Sequence, residues 1–262
     1  MSEKSYEFIK TETRGRVFTV TMNRPKVMNS LHPPANRELG EAFDHFAADD
    51  DLWVAIITGE GERAFSAGND LKFTAESKSG ELDIPKHGFG GLSSRYDLWK
   101  PIIAAVNGVA LGGGFEIALA SDIIIASDTA RFGLPEPKVG LAALAGGMQR
   151  LPRQIGLKNA MHMMLTGRMV GAAEAKQLGI AQEVVPADQL MARANALADE
   201  ILECAPLSVR ATKQVAMQSL DYGLEESMSV KYPALHDLFH SEDFVEGPRA
   251  FAEKRKPNWQ GK

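Results

Sequence analysis

Three runs in this chain, Trp53–Thr58 (WVAIIT), Ile102–Val106 (IIAAV) and Ile123–Ala126 (IIIA), are short, almost wholly apolar and bounded by turn residues. A strand with one face in water alternates apolar and polar residues. A strand that is apolar at nearly every position has both faces buried. Only a central sheet covered by further layers offers such burial, so the runs predict a layered α/β core. Arg16–Met22 (RVFTVTM) alternates and is rich in β-branched residues, as a half-buried strand of the same sheet should be. With 262 residues, 44% of them hydrophobic, the chain is long enough to bury such a core without staples.

Helical spacing of apolar residues appears at Ala35–Ala48 and dominates the back third from about Lys158: Asn159–Leu165, Ala172–Leu178, Gln189–Cys204, Leu207–Ser219 and Gly223–Phe239. An α/β core therefore gives way to a helical region near Leu157. Phe73–Leu92 (FTAESKSGELDIPKHGFGGL) is rich in Gly, Ser and charge, lacks a clear period, and reads as a functional loop.

The formal net charge of −5 and a pI near 5.7 disfavour nucleic acid or anionic lipid as a partner. One cysteine, Cys204, rules out an intrachain disulfide framework and fits a reducing compartment. No apolar run has the length of a signal peptide or a membrane span, so a cytoplasmic protein is expected.

Three segments could carry chemistry. Ala64–Lys72 (AFSAGNDLK) follows a strand and a polar turn; Ser66 lacks the Gly-x-Ser-x-Gly frame of a nucleophile and reads as a packed, hydrogen-bonding serine. Asn107–Glu116 (NGVALGGGFE) places three glycines between a buried strand and a helix, where exposed backbone N–H groups and the helix N-terminus favour negative charge. No Gly-Lys-Ser/Thr follows, and the glycine spacing is wrong for a dinucleotide fingerprint. A tight, closely packed turn remains the alternative there. In Phe132–Gly140 (FGLPEPKVG), Glu136 stands between two prolines that fix where its carboxylate points, and a surface role is the alternative. Together, Glu116 and Glu136 with a backbone donor site have the makings of proton transfer beside a carbonyl.

These segments, in this order, resemble the crotonase (enoyl-CoA hydratase/isomerase) superfamily. The resemblance runs from NRPKVMNSL (Asn23–Leu31) through AFSAGNDLK, PIIAAVNGVALGGGFEIALASDIIIAS, FGLPEPKVGL and AGGMQRLPRQIG to LTGR and the C-terminal FAEKRKPNW. It implies a spiral of repeated β-β-α units over residues 1–195 carrying the acyl-CoA site. A helical trimerisation region follows at 196–262, building a homotrimer or a dimer of trimers. It implies that the backbone N–H groups of Asn69 and Gly113 hold the thioester oxygen. Glu136 would handle the proton at the α-carbon and Glu116 the water at the β-carbon. Lys26, Val27 and Met28, with Ala67, Gly68, Asp70 and Leu71, would lie along coenzyme A, which is part of the substrate. No separate cofactor or metal is implied. Lys26 and the basic tail (Lys254, Arg255, Lys256) are candidate phosphate partners.

The chain departs from the hydratase pattern at two places. Asn69 stands where alanine is common, and Leu144, in LAALAGG, stands where hydratases carry a glycine beside the catalytic water. The resemblance therefore implies reversible hydration of a 2-enoyl-CoA to a 3-hydroxyacyl-CoA. Alternatives are Δ3–Δ2 isomerisation, which commonly uses only the carboxylate matching Glu136, and hydration or dehydration of a specialised acyl-CoA. A non-catalytic acyl-CoA-binding or RNA-binding scaffold is the remote alternative. Tyr96 and Trp99 are expected to line an acyl pocket or to join the core. His162 is expected to be packed. His236 and His240 are spaced as zinc ligands can be, but Asp237 replaces the zincin glutamate and no third ligand is evident, so surface or interface histidines are expected.

Overall fold

The computed structural model describes residues 5–76 and 85–262. Among the described residues ten strands form two sheets: β1 Ile9–Arg14, β2 Val17–Met22, β3 Val54–Gly59, β4 Ala64–Ser66, β5 Ile102–Val106, β6 Val109–Leu111, β7 Ile123–Ser127, β8 Arg131–Gly133, β9 Met169–Gly171 and β10 Glu183–Val185. The larger sheet runs β1-β2-β3-β5-β7-β10, parallel except for the β1–β2 hairpin. The smaller runs β4-β6-β8-β9.

The four expected strands are β2, β3, β5 and β7, and the both-faces burial inferred for the last three holds. Ala55, Ile57, Ala104 and Val106 point into one apolar cluster, while Val54, Ile56, Ile103 and Ala105 point into the other. β1 was not expected: its IKTETR sequence buries only Ile9, as befits an edge strand with one partner.

The helices are α1 Pro33–Ala48, α2 Leu71–Glu76, α3 Gly113–Ala120, α4 Gly147–Ile155, α5 Leu157–Thr166, α6 Ala172–Leu178, α7 Leu190–Leu202, α8 Pro206–Gln218, α9 Leu224–Ser227, α10 Pro233–Phe239 and α11 Glu242–Ala252. Leu39, Ala42, Phe43 and Phe46 of α1 seal one face of the large sheet. Leu190, Ala194 and Ala198 of α7 seal the other, so residue 195 lies inside a helix packed on the sheet.

Gly223–Phe239, expected as one helix, breaks into α9 and α10. Pro233 has no N–H to continue a helix and holds Tyr232 in an extended conformation, so it starts a new one instead. The segment expected to be an unstructured loop begins inside α2 and ends in a single helical turn at Phe89–Gly91. Its residues 77–84 lie outside the described residues.

One repeat organises the chain. A buried strand of the large sheet is followed by a three-residue strand of the small sheet and then by a helix or helical turn. β3-β4-α2 and β5-β6-α3 are two turns of this spiral. β7-β8 with the helical turn Glu136–Val139 is a third. The short strands pair β4-β6-β8 in parallel, so the segments that follow them emerge side by side. Those segments carry Asn69, then Gly113 with Glu116, then Glu136. The fold is the mixed α/β crotonase type that the resemblance implied.

Candidate active site

Asn69 leaves β4 through a tight turn. Ser66 Oγ donates to the Asn29 carbonyl (2.8 Å) and accepts from the Gly68 N–H (3.1 Å), which makes it the packed serine expected from its sequence frame. Asn69 then forms a single parallel bridge with Leu31: the Leu31 N–H donates to the Gly68 carbonyl (2.8 Å) and the Asp70 N–H donates to the Leu31 carbonyl (3.0 Å). In such a bridge the N–H of the residue between those two groups faces away from the partner strand. The Asn69 N–H is thus left pointing off the sheet. Gly113 is the first residue of α3, where backbone N–H groups have no intrahelical acceptor. The two segments touch. A Cβ on Gly68 would stand 2.8 Å from the Gly113 nitrogen.

Glu116 lies one turn along α3 and is 3% exposed. Its Oε1 accepts the Gly147 N–H at 2.8 Å, the first N–H of α4. Burial pushes its carboxyl up to about 7, against that hydrogen bond and with the like charge of Glu136 adding to the rise. Glu136 opens the helical turn after β8, between Pro135 and Pro137. Burial raises its pKa also, and its Oε2 is buried with no hydrogen-bond partner. Its Oε1 lies against Gly112, the residue before α3, where a Cβ would come within 3.0 Å. The structure therefore brings Glu116, Glu136, Gly113 and Asn69 into one region at the ends of the small-sheet strands.

The expected coenzyme A segments also meet, since the Ala67 N–H donates to the Met28 carbonyl at 2.9 Å. Lys26, Val27 and Leu71 are exposed beside that junction. The Asp70 carboxylate is already engaged by Arg24 (2.9 Å) and by the Phe73 N–H (3.2 Å). In the basic tail, Arg255 is held by Glu246 and Glu253, which leaves it a structural role there.

Leu144 does not narrow a buried pocket. It is 70% exposed and borders a cavity of about 580 Å³ together with Tyr96, Trp99, Gly146 and Arg150. Tyr96, 71% exposed, is therefore a cavity residue and not a core aromatic. His162 is exposed, not packed. His236 and His240 stack on each other, ring centroids 4.2 Å apart, at the surface end of α10.

Sequence reasoning missed Arg150. This half-buried cation of α4 lies within electrostatic reach of Glu116 and Tyr96. The Gly146-Gly147 pair that starts α4 was the available signal.

A model of the enoyl-CoA hydratase/isomerase family matches residues 12–262. The chain belongs to the enoyl-CoA hydratase/isomerase family. Among its relatives, the carnitinyl-CoA dehydratase of Proteus mirabilis (strain HI4320) is 46% identical over 257 residues, covering 95% of this chain and 97% of the relative. That of Escherichia coli (strain K12) is 43% identical over 255 residues, covering 95% and 96%. The crystal structure of enoyl-CoA hydratase from Mycobacterium tuberculosis H37Rv superposes with a TM-score of 0.91 at 38% identity, covering 97% of this chain and 99% of that one. Among the described residues no helix is long and apolar enough to cross a membrane.

The raised pKa of Glu116 makes a stability prediction. A carboxyl that binds its proton more tightly when folded contributes stability fully present below about pH 4.5. That contribution is lost as the pH rises through about 7, and amounts to about 3 kcal/mol. Glu116→Gln keeps an acceptor for the Gly147 N–H but cannot ionise. Thermal melts should show the variant matching the native protein near pH 5 and exceeding it near pH 8. A variant that melts lower at the higher pH would contradict the burial-driven shift.

Proposed function

We propose that this enzyme is a hydro-lyase that interconverts a 3-hydroxyacyl-CoA and its 2-enoyl-CoA. In the dehydration direction, the Glu136 carboxylate takes the proton from C2, and the resulting negative charge on the thioester oxygen is held by the Asn69 and Gly113 N–H groups. The C3–O bond then breaks, and protonated Glu116 gives its proton to the departing hydroxyl, which leaves as water. Hydration is the reverse: ionised Glu116 takes a proton from water as its oxygen bonds to C3, and protonated Glu136 returns a proton to C2. The assignment of each glutamate to its carbon follows the family resemblance.

The observation that carries the reading is the pairing of two carboxylates of raised pKa, a buried one fixed by a backbone N–H and a half-buried one with an unpartnered oxygen. Burial raises both carboxyls and the like charge of Glu136 adds to the rise at Glu116, which favours a state with one charged and the other neutral. Each half-reaction needs one charged and one neutral carboxyl. Isomerisation would leave Glu116 without a task.

For the acyl group, the likeness to carnitinyl-CoA dehydratases and the cavity bordered by Tyr96, Trp99 and Leu144 support a specialised substituted 3-hydroxyacyl-CoA, with carnitinyl-CoA the first to test. The purified protein should be given carnitinyl-CoA and 3-hydroxybutyryl-CoA, with formation of the enoyl thioester followed by its absorbance. Turnover of carnitinyl-CoA with a clearly higher kcat/KM supports the specialised dehydratase. A preference for 3-hydroxybutyryl-CoA reassigns the enzyme to simple crotonyl-type hydration. Turnover of neither, by protein that binds both, would refute the hydro-lyase reading.

A further inference from the structure

Arg24 lies in the NRPK segment, between β2 and α1, and Asp70 lies directly after Asn69. Their ion pair, 2.9 Å long, is mostly buried, with side-chain exposures of 17% and 13%. Each partner is tied to a separate backbone segment. Arg24 Nη1 also donates to the Ser30 carbonyl, its backbone N–H donates to Asn29 Oδ1 (2.9 Å), and its guanidinium lies over the Phe8 ring at 5.8 Å. Asp70 accepts from the Phe73 N–H through Oδ1, and its own N–H donates to the Leu31 carbonyl. The Asp70 carbonyl accepts from Thr74 Oγ1, which in turn accepts from Asn69 Nδ2 (3.1 Å). Burial alone would raise the Asp70 pKa, but the bonds from Arg24 and the Phe73 N–H, with the nearby charges of Arg24 and His32, together outweigh it and hold the carboxyl below its usual range.

The bonds of Asp70, Thr74 and Leu31 flank Asn69, those of Arg24 anchor the far end of the pair, and none of them uses the Asn69 backbone N–H. The bridge to Leu31 fixes the peptide on one side; the Arg24–Asp70 pair and the first turn of α2 fix it on the other. A backbone donor is useful to catalysis only if it cannot rotate away as charge builds on the oxygen it serves, because a preorganised dipole does not have to reorganise during the reaction.

We propose that the Arg24–Asp70 ion pair is a positioning element for the thioester-oxygen site, locking the peptide that carries the Asn69 N–H. The proposal rests on the assignment of Asn69 and Gly113 as oxygen donors. It gives Asp70 a role other than contact with coenzyme A, and it gives Arg24 a role that the sequence did not suggest. Neither residue touches the reacting atoms.

The test measures oxygen stabilisation directly, without turnover. Acetoacetyl-CoA loses a C2 proton to solvent to give an enolate that carries its charge on oxygen and absorbs in the near ultraviolet. Binding to a working donor pair raises the enolate fraction at fixed pH. Native protein, Arg24→Met, Arg24→Lys and Asp70→Asn would each be titrated with acetoacetyl-CoA. Binding would be read by competition with free coenzyme A, and folding by thermal melts. Native protein should bind the probe and raise its enolate fraction. Arg24→Met and Asp70→Asn should still bind it but lose the enhancement by about tenfold to a hundredfold, with Arg24→Lys between them and native. Folded variants that bind and enhance as native protein does would overturn the positioning role while leaving the oxygen site intact. Native protein that binds the probe without any enhancement would overturn the donor assignment itself, and this proposal with it.

Discussion

Glu116→Gln and Glu136→Gln are each expected to lower kcat for acyl-CoA dehydration by about 10²–10⁴-fold with little change in KM. Glutamine preserves the size of both side chains and, at position 116, the acceptor for the Gly147 N–H at 2.8 Å. What disappears is the ability to take or give a proton. The two variants should nevertheless differ. The proton at C2 is assigned to Glu136, so Glu116→Gln should still exchange that proton with solvent deuterium although the hydroxyl no longer leaves. Glu136→Gln should lose exchange and dehydration together. The double variant should be scarcely worse than Glu136→Gln, because groups acting on one reaction coordinate are not additive. Exchange that survives in Glu136→Gln and vanishes in Glu116→Gln would reverse the roles. Activity retained in both would remove the carboxylates from the mechanism.

The parts of the fold that were legible are those in which local pattern and final environment agree. β3, β5 and β7 are apolar at almost every position because both faces of the sheet are covered, and that is visible residue by residue. α6 was readable to its ends, since Gly171 and Gly179 bracket it. The three-residue strands β4, β6 and β8 were not readable, because a run of three has no period; they exist through pairing with each other. α4 and α11 were missed for a different reason. Each contains a proline, Pro152 or Pro248, that argues locally against a helix and is overridden by packing of the surrounding face. For α11 a counter-signal was present in Ser241-Glu242-Asp243, a capping serine followed by acidic residues in the first turn.

The site divides along the same line. Glu116 and Glu136 stood out as carboxylates in Gly- and Pro-rich turns, and the family resemblance supplied Asn69 and Gly113. Leu144, Arg150 and the Arg24–Asp70 pair depend on which loops meet in space. Leu144 was read from its place in a motif as a residue beside the catalytic water, whereas the fold leaves it 70% exposed at the border of the cavity. Arg24 and Asp70 are 46 residues apart in the chain, and no local spacing announces their contact.

Gly68→Ala should damage the enzyme as severely as loss of a donor, although it removes no functional atom. Gly68 has φ +86°, a conformation that an L-residue with a Cβ adopts only at a cost of about 1–2 kcal/mol. The larger penalty is spatial. The added Cβ would stand 2.7 Å from the Leu111 carbonyl oxygen and 2.8 Å from the Gly113 nitrogen, both of them backbone atoms that cannot swing aside as a side-chain tip can. Relief requires the Asn69 and Gly113 segments to part, and those segments carry the proposed oxygen donors. Removing a single donor of this kind typically costs about 10²–10³ in kcat, and Gly68→Ala is expected to fall in that range. Gly179→Ala provides the control for backbone strain, because Gly179 has φ +84° but nothing within 4 Å of its Cβ position. Both variants should melt lower than native protein, whereas only Gly68→Ala should lose turnover while still binding free coenzyme A. Equal activity losses in the two variants would mean that strain alone accounts for the effect, and that close contact between the two donor segments is not what the enzyme requires.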